Sequence, residues 1–226
     1  MRTAPLAAWP LPLLGGLLPL IGTLAAFGLS VQLGLVEACN PLFDGCVSIS
    51  RAGRHGLPNH LFRALLLPAA VLQALTWLLC GVWLRTLDSA HRRRVRALPW
   101  LGLIAALFLV LYGTFLGTEG DAYRWMRRFG VVFYFSATCL AMLVATGALQ
   151  TTRLRAHHAV RALLFLSLAL PLLGGVNAAV APMLLDPAAR DALQNRMEWW
   201  GGLAFTLFFF ALAWLWRATR FELGAT

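Results

Sequence analysis

The sequence predicts an all-α fold, a polytopic transmembrane bundle of six helices, and three observations predict it. Hydrophobic residues make up 60% of the 226 and charged residues only 12%, against roughly 25% charged in a soluble domain. The mean hydropathy is +0.72. The apolar residues also gather into six runs, each close to the about 20 residues that cross the hydrocarbon as a helix. So few charges cannot cover a water-soluble globule, and the solvent around most of this chain is lipid.

The runs are 11–35, 61–84, 98–117, 129–149, 162–185 and 199–216, within a single domain, 1–226. The first is longer than the 7–15 apolar residues of a signal peptide, so it reads as a retained span. Their interiors carry no charge apart from Arg63, one turn inside the second.

All 19 basic residues are arginine, for a net charge of +10. The absence of lysine is the mark of a GC-rich bacterial codon bias. A basic chain can serve nucleic acid, but these arginines sit in short segments between apolar runs. They read instead as the positive-inside signal. With the N-terminus inside, eleven arginines are cytoplasmic, including Arg2 and the 91–96 cluster of His91, Arg92, Arg93, Arg94 and Arg96. Eight lie outside, with seven of the nine acids; only Asp88 and Glu222 are inside. Both termini are thus expected in the cytoplasm of a bacterial inner membrane. The mixed charge outside is either simple loop solubility or a polar site at the outer boundary.

Pro68, Pro171 and Pro182 read as kinks that membrane helices tolerate. Gln73, Thr76, Ser136, Thr138, Ser167 and Asn177 read as hydrogen bonds between helices. Trp199, Trp200, Trp214 and Trp216 mark the two interfaces of the last span.

Chemistry concentrates in the first outer loop, 36–60. Cys39 and Cys46 enclose Asn40–Pro41 and Asp44–Gly45, both turn formers. An oxidising compartment would bridge them; two free thiols are the alternative. Cys80 and Cys139 lie in apolar runs as packing residues. His55 and His60 flank a turn, with acids nearby in the other loops. No zinc spacing, GxSxG elbow, P-loop or dinucleotide pattern occurs, so neither metal nor cofactor is expected. All five histidines are read at loops, which argues against haem held inside the bundle. Neutral span interiors argue against proton-coupled transport.

The run Ser48 to Arg63, SISRAGRHGLPNHLFR, resembles the signature after the first span of the Frag/DRAM/Sfk family. The matching features are Ser48, Ser50, Gly53, Pro58 and the pair Phe62–Arg63. Further matches are TEGD at 118–121 and Glu198 at the entry to an aromatic-rich last span. The stretch from Pro58 to Phe62 is shorter than in the eukaryotic members that remodel lipid. The family has six-span proteins. They include a Golgi factor in lipid remodelling of GPI anchors and the N-terminal part of the yeast Cwh protein that installs ceramide on them. The resemblance implies a lipid as substrate or ligand, though not a GPI anchor in a bacterium.

Three functions follow as expectations. The first is binding or remodelling of an outer-leaflet lipid by acyl-chain or head-group exchange. The others are a non-catalytic scaffold or lipid sensor that organises partners, and a small-molecule transporter. A protein partner or a second copy fits the scaffold. For the first, Arg63 pairs with Glu198, or with an acid of the TEGD loop, below a cavity capped by His55, Asn59 and His60. His60 is the candidate base, with Glu198 or Asp121 orienting it. Arg63, His55, Asn59, Glu119, Ser48 and Ser50 are the candidate lipid contacts.

Overall fold

In the computed structural model, described for residues 6–87 and 92–224 and for Arg92 by its backbone alone, the chain is almost entirely helical. The charge readings at Arg2, Asp88, His91 and the Arg92 side chain lie outside the described residues. The helices are α1 (Pro10–Gln32), α2 (Ile49–Ala52), α3 (Gly56–Thr86), α4 (Arg92–Val95), α5 (Leu98–Phe115), α6 (Asp121–Leu149), α7 (His158–Val180) and α8 (Pro187–Ala218). Six of them, all but α2 and α4, are long and apolar enough to cross a membrane. They mark a multi-pass membrane protein.

Helices α3, α6, α7 and α8 begin before the spans expected from hydropathy, whereas α1, α5 and α7 end short of them, at Gln32, Phe115 and Val180 rather than 35, 117 and 185. α6 starts at Asp121 rather than 129, and α8 at Pro187 rather than 199. Hydropathy stops where the residues turn polar, but helical hydrogen bonding does not. Asp186 caps α8 through its Oδ1 on Ala188 N–H at 3.0 Å, and Pro187 takes the first turn. Pro68 and Pro171 lie within helices, whereas Pro182 belongs to a short 3-10 turn, Ala181–Met183, that ends α7.

The six long helices close a ring. α1 packs on α3, α3 on α5, α5 on α6, α6 on α7, α7 on α8, and α8 back on α1. Two short strands, β1 (Leu6–Ala7) and β2 (Glu222–Leu223), pair antiparallel and tie the chain ends together. No strand was expected from the sequence. Arg217 lies over the Trp9 ring at the same end, 5.5 Å from its centroid.

The ring is filled unevenly. Near the chain ends, Trp77, Trp83, Phe208, Phe209, Leu212 and Trp216 pack solidly. Near the disulfide loop the core contains Phe62, Leu66, Leu109, Tyr112 and Tyr134, but also Ala26, Ala70, Ala105, Ala106 and Ala137.

Of the polar residues inside spans, Gln73 and Ser167 bond between helices as expected. The Gln73 amide donates to Gly15 O on α1 at 2.8 Å and accepts from the Tyr134 hydroxyl on α6 at 3.0 Å. Ser167 meets Thr146 at 3.1 Å. Thr76 instead bonds Leu72 O on its own helix at 2.8 Å, and Ser136 is exposed. Thr138 Oγ1 and Asn177 Oδ1 are buried without a partner.

Candidate functional site

The loop between α1 and α3 lies against the polar start of α8. Cys39 and Cys46 form a disulfide. Inside it, Asn40 makes an Asx turn, its Oδ1 accepting from Leu42 N–H at 3.2 Å, and Asp44 Oδ2 accepts from Asn40 N–H at 2.8 Å. Three side chains of α8 then hold loop carbonyls. Asn195 donates to Gly45 O at 2.8 Å, Trp199 to Val47 O at 2.8 Å and Trp200 to Leu42 O at 3.1 Å. Gly45 has φ +67°, and a Cβ there would strike the Ala192 carbonyl, so only glycine fits.

The tryptophans expected at the interface are therefore also loop anchors. Trp199 is buried edge-on to Phe27 at 5.6 Å, and Trp200 meets Phe43 at 6.3 Å.

Past the disulfide, Ser48 caps α2 by accepting from Arg51 N–H at 3.1 Å and meets Ser50 Oγ at 3.1 Å. The Ser50 N–H donates to Glu198 Oε1 at 3.1 Å. Ser30 on α1 secures the end of α2 through Ala52 O at 2.7 Å. Buried Asn59 donates to Gly53 O at 2.9 Å and to Leu116 O at 3.0 Å, joining the loop, α3 and the end of α5.

Beneath this loop lies a cavity of about 440 Å³ between α1, α3, α5, α6 and α8. That falls within the range of small-ligand sites, roughly 300–1,000 Å³. The walls are mostly apolar: Pro19, Leu20 and Phe27 of α1, Leu66 of α3, Val131 of α6, and Leu203 of α8. Cys39, Asn40, Pro41 and Leu42 form the roof. Glu198 and Tyr112 lie at the loop end, and the Gln73–Tyr134 pair lies deeper. Trp77 and Phe208, packed 5.9 Å apart, fill the bundle beyond it.

The expected site residues separate into three groups. Glu198, Ser48 and Ser50 come together, and Glu198 lines the cavity. Asn59 is buried, but both of its amide bonds serve the backbone. His55, His60, Glu119 and Asp121 are exposed and line no cavity. Among the described residues Asp121 pairs with Arg124 of the same helix, at 3.4 Å, with both side chains solvated.

The expected Arg63–Glu198 pair is not formed. α3 begins at Gly56, so Arg63 stands two turns inside the helix, at the edge of the face that buries Asn59, Phe62 and Leu66. No hydrogen bond or ion pair joins Arg63 to any described residue. His60 lies on the exposed side of α3 rather than at a loop. Ser50 and Arg54 are the polar groups near Glu198 instead.

Arg54, Tyr112 and Arg127 were missed in the sequence. Buried Tyr112 is in electrostatic range of Glu198, Arg54 and Arg127. Arg54 Nε is buried without a hydrogen-bond partner. No family model, no curated protein and no solved structure matches the chain. The reading of the site therefore rests on its own geometry.

Two arginines at this end of the bundle have plain structural work. Arg127 holds Phe115 O at 3.0 Å and also bonds Thr118 O, closing the end of α5. Arg190 holds Ala181 O at 3.1 Å and Leu184 O at 2.8 Å, closing the end of α7. A guanidinium with several donors suits the unpaired carbonyls of a helix C-terminus. Part of the mixed charge at this end of the bundle is helix capping.

Proposed function

We propose that this protein binds an outer-leaflet lipid, holding a hydrocarbon chain in the cavity with the lipid's polar end at Glu198. The observation that carries the reading is an apolar cavity with a carboxylate at its loop end, inside a membrane-spanning bundle. An apolar space favours hydrocarbon over water. An ionisable residue that faces the interior of such a bundle marks a functional site by default.

Two further arguments support it. The stretch from Ser48 to Arg63 resembles the Frag/DRAM/Sfk signature, and that family includes members that take part in lipid remodelling. The arginine distribution favours an orientation with the disulfide loop on the outer face, where a bridge is stable, and both termini in the cytoplasm of a bacterial inner membrane. Of the three acid–base candidates only Glu198 lines the cavity, so the proposal is binding rather than turnover. Transport is disfavoured, since aromatic side chains fill the bundle beyond the cavity.

The test is lipid co-purification in native-membrane nanodiscs, read by native mass spectrometry. Thr23→Trp and Leu203→Trp place an indole in the cavity and should each remove the bound lipid. Leu172→Trp, on a face 67% exposed, should retain it. Equal lipid in all three variants would contradict the proposal.

A further inference from the structure

We infer that the cavity selects an amphiphile whose head donates hydrogen bonds, a long-chain primary amine or alcohol, over one with an anionic head. This rests on the binding reading above and names the ligand class of the same site.

The polar inventory argues for the head. Deep in the cavity, the Tyr134 hydroxyl and the Gln73 amide are committed to each other and to Gly15 O. At the loop end the capacity is free. Glu198 Oε1 accepts from Ser50 N–H, whereas Oε2 makes no hydrogen bond with the described residues. The Tyr112 hydroxyl makes none either.

Glu198 and Tyr112 both line the cavity and lie in electrostatic range of each other. No arginine or histidine is among the lining residues; Arg54 and Arg127 stand outside it. An ammonium or hydroxyl can donate to the open carboxylate oxygen, and a hydroxyl can also accept from Tyr112. A carboxylate or phosphate head would find no cation lining the cavity, since the nearest, Arg54, stands outside it beside Glu198.

The experiment compares hexadecylamine, hexadecanol and hexadecanoic acid as competing probes at equal concentration. The protein sits in nanodiscs of zwitterionic phospholipid, and native mass spectrometry counts the adducts. The amine and the alcohol should each exceed the acid by about tenfold, the ratio that one charge-assisted hydrogen bond supplies. In Glu198→Gln the amine should fall to the level of the acid. The alcohol should hold, because the amide oxygen still accepts.

Acid binding as tight as amine binding in the unaltered protein would overturn the inference while leaving a lipid-chain site intact. That comparison needs no variant, so misfolding of Glu198→Gln cannot shield it. If no probe binds and Thr23→Trp changes nothing, the binding reading itself falls.

Discussion

The Ser50 backbone N–H donates to Glu198 Oε1 at 3.1 Å, across 148 positions of sequence. This bond fixes the one acidic side chain of the cavity to the loop that roofs it. Loop position and carboxylate position are thus coupled, and several measurements read that coupling.

The roof is latched by an indole. Trp199→Phe keeps the ring packing on Phe27 but deletes the donor to Val47 O. The expected cost is about 1 kcal/mol, with faster amide hydrogen exchange across residues 39–55. Trp100→Phe, on a side chain 68% exposed, should change neither.

The disulfide closes a short loop, so Cys39→Ser with Cys46→Ser should destabilise by ~2–3 kcal/mol on the loop-entropy account. The roof should also open more often, and lipid should exchange faster with the surrounding bilayer. Thiol labelling without reductant checks the bridge first: neither cysteine should react until reductant is added.

In mid-bundle, Gln73→Leu strands the Tyr134 hydroxyl and the Gly15 carbonyl together. The loss expected is about 1–2 kcal/mol for polar groups left unpaired among helices. Adding Tyr134→Phe should cost less than the two single losses combined, because the hydroxyl is already unpaired. A full double-mutant cycle by denaturation in detergent gives the coupling.

The exposed candidates give the opposite expectation. His60→Ala and Asp121→Asn should leave bound lipid and stability at the unaltered level, since neither lines the cavity and the Asp121–Arg124 pair is solvated. Loss of lipid in His60→Ala would restore that histidine to the site.

Much of the fold was legible in the sequence because hydropathy reports burial in lipid directly, run by run. The helix ends were not. Asp121–Arg128 and Pro187–Glu198 are helical but polar, and a hydropathy reading ends before they begin. Glu198 and Ser50 could be picked out as polar residues at the boundary. The cavity could not, because it exists only where Gly15 and Gly16 of α1, Leu66 of α3, Val131 of α6 and Gly202 of α8 meet across a ring whose order no single span reveals. Arg63 misled for a geometric reason. Starting α3 at Gly56 rather than 61 leaves Arg63 at the edge of the buried face, and Arg54, in the loop, is the arginine near Glu198.

The central claim is that a lipid chain occupies the cavity, and photo-crosslinking tests it most directly. A long-chain alcohol with a diazirine at mid-chain is incorporated with the protein in nanodiscs, irradiated, and the labelled peptides are mapped. The account predicts label on cavity residues such as Thr23, Leu66, Val131 and Leu203, abolished by Thr23→Trp. Label confined to exposed faces such as Phe165 and Leu172 of α7, and unchanged by Thr23→Trp, would contradict it.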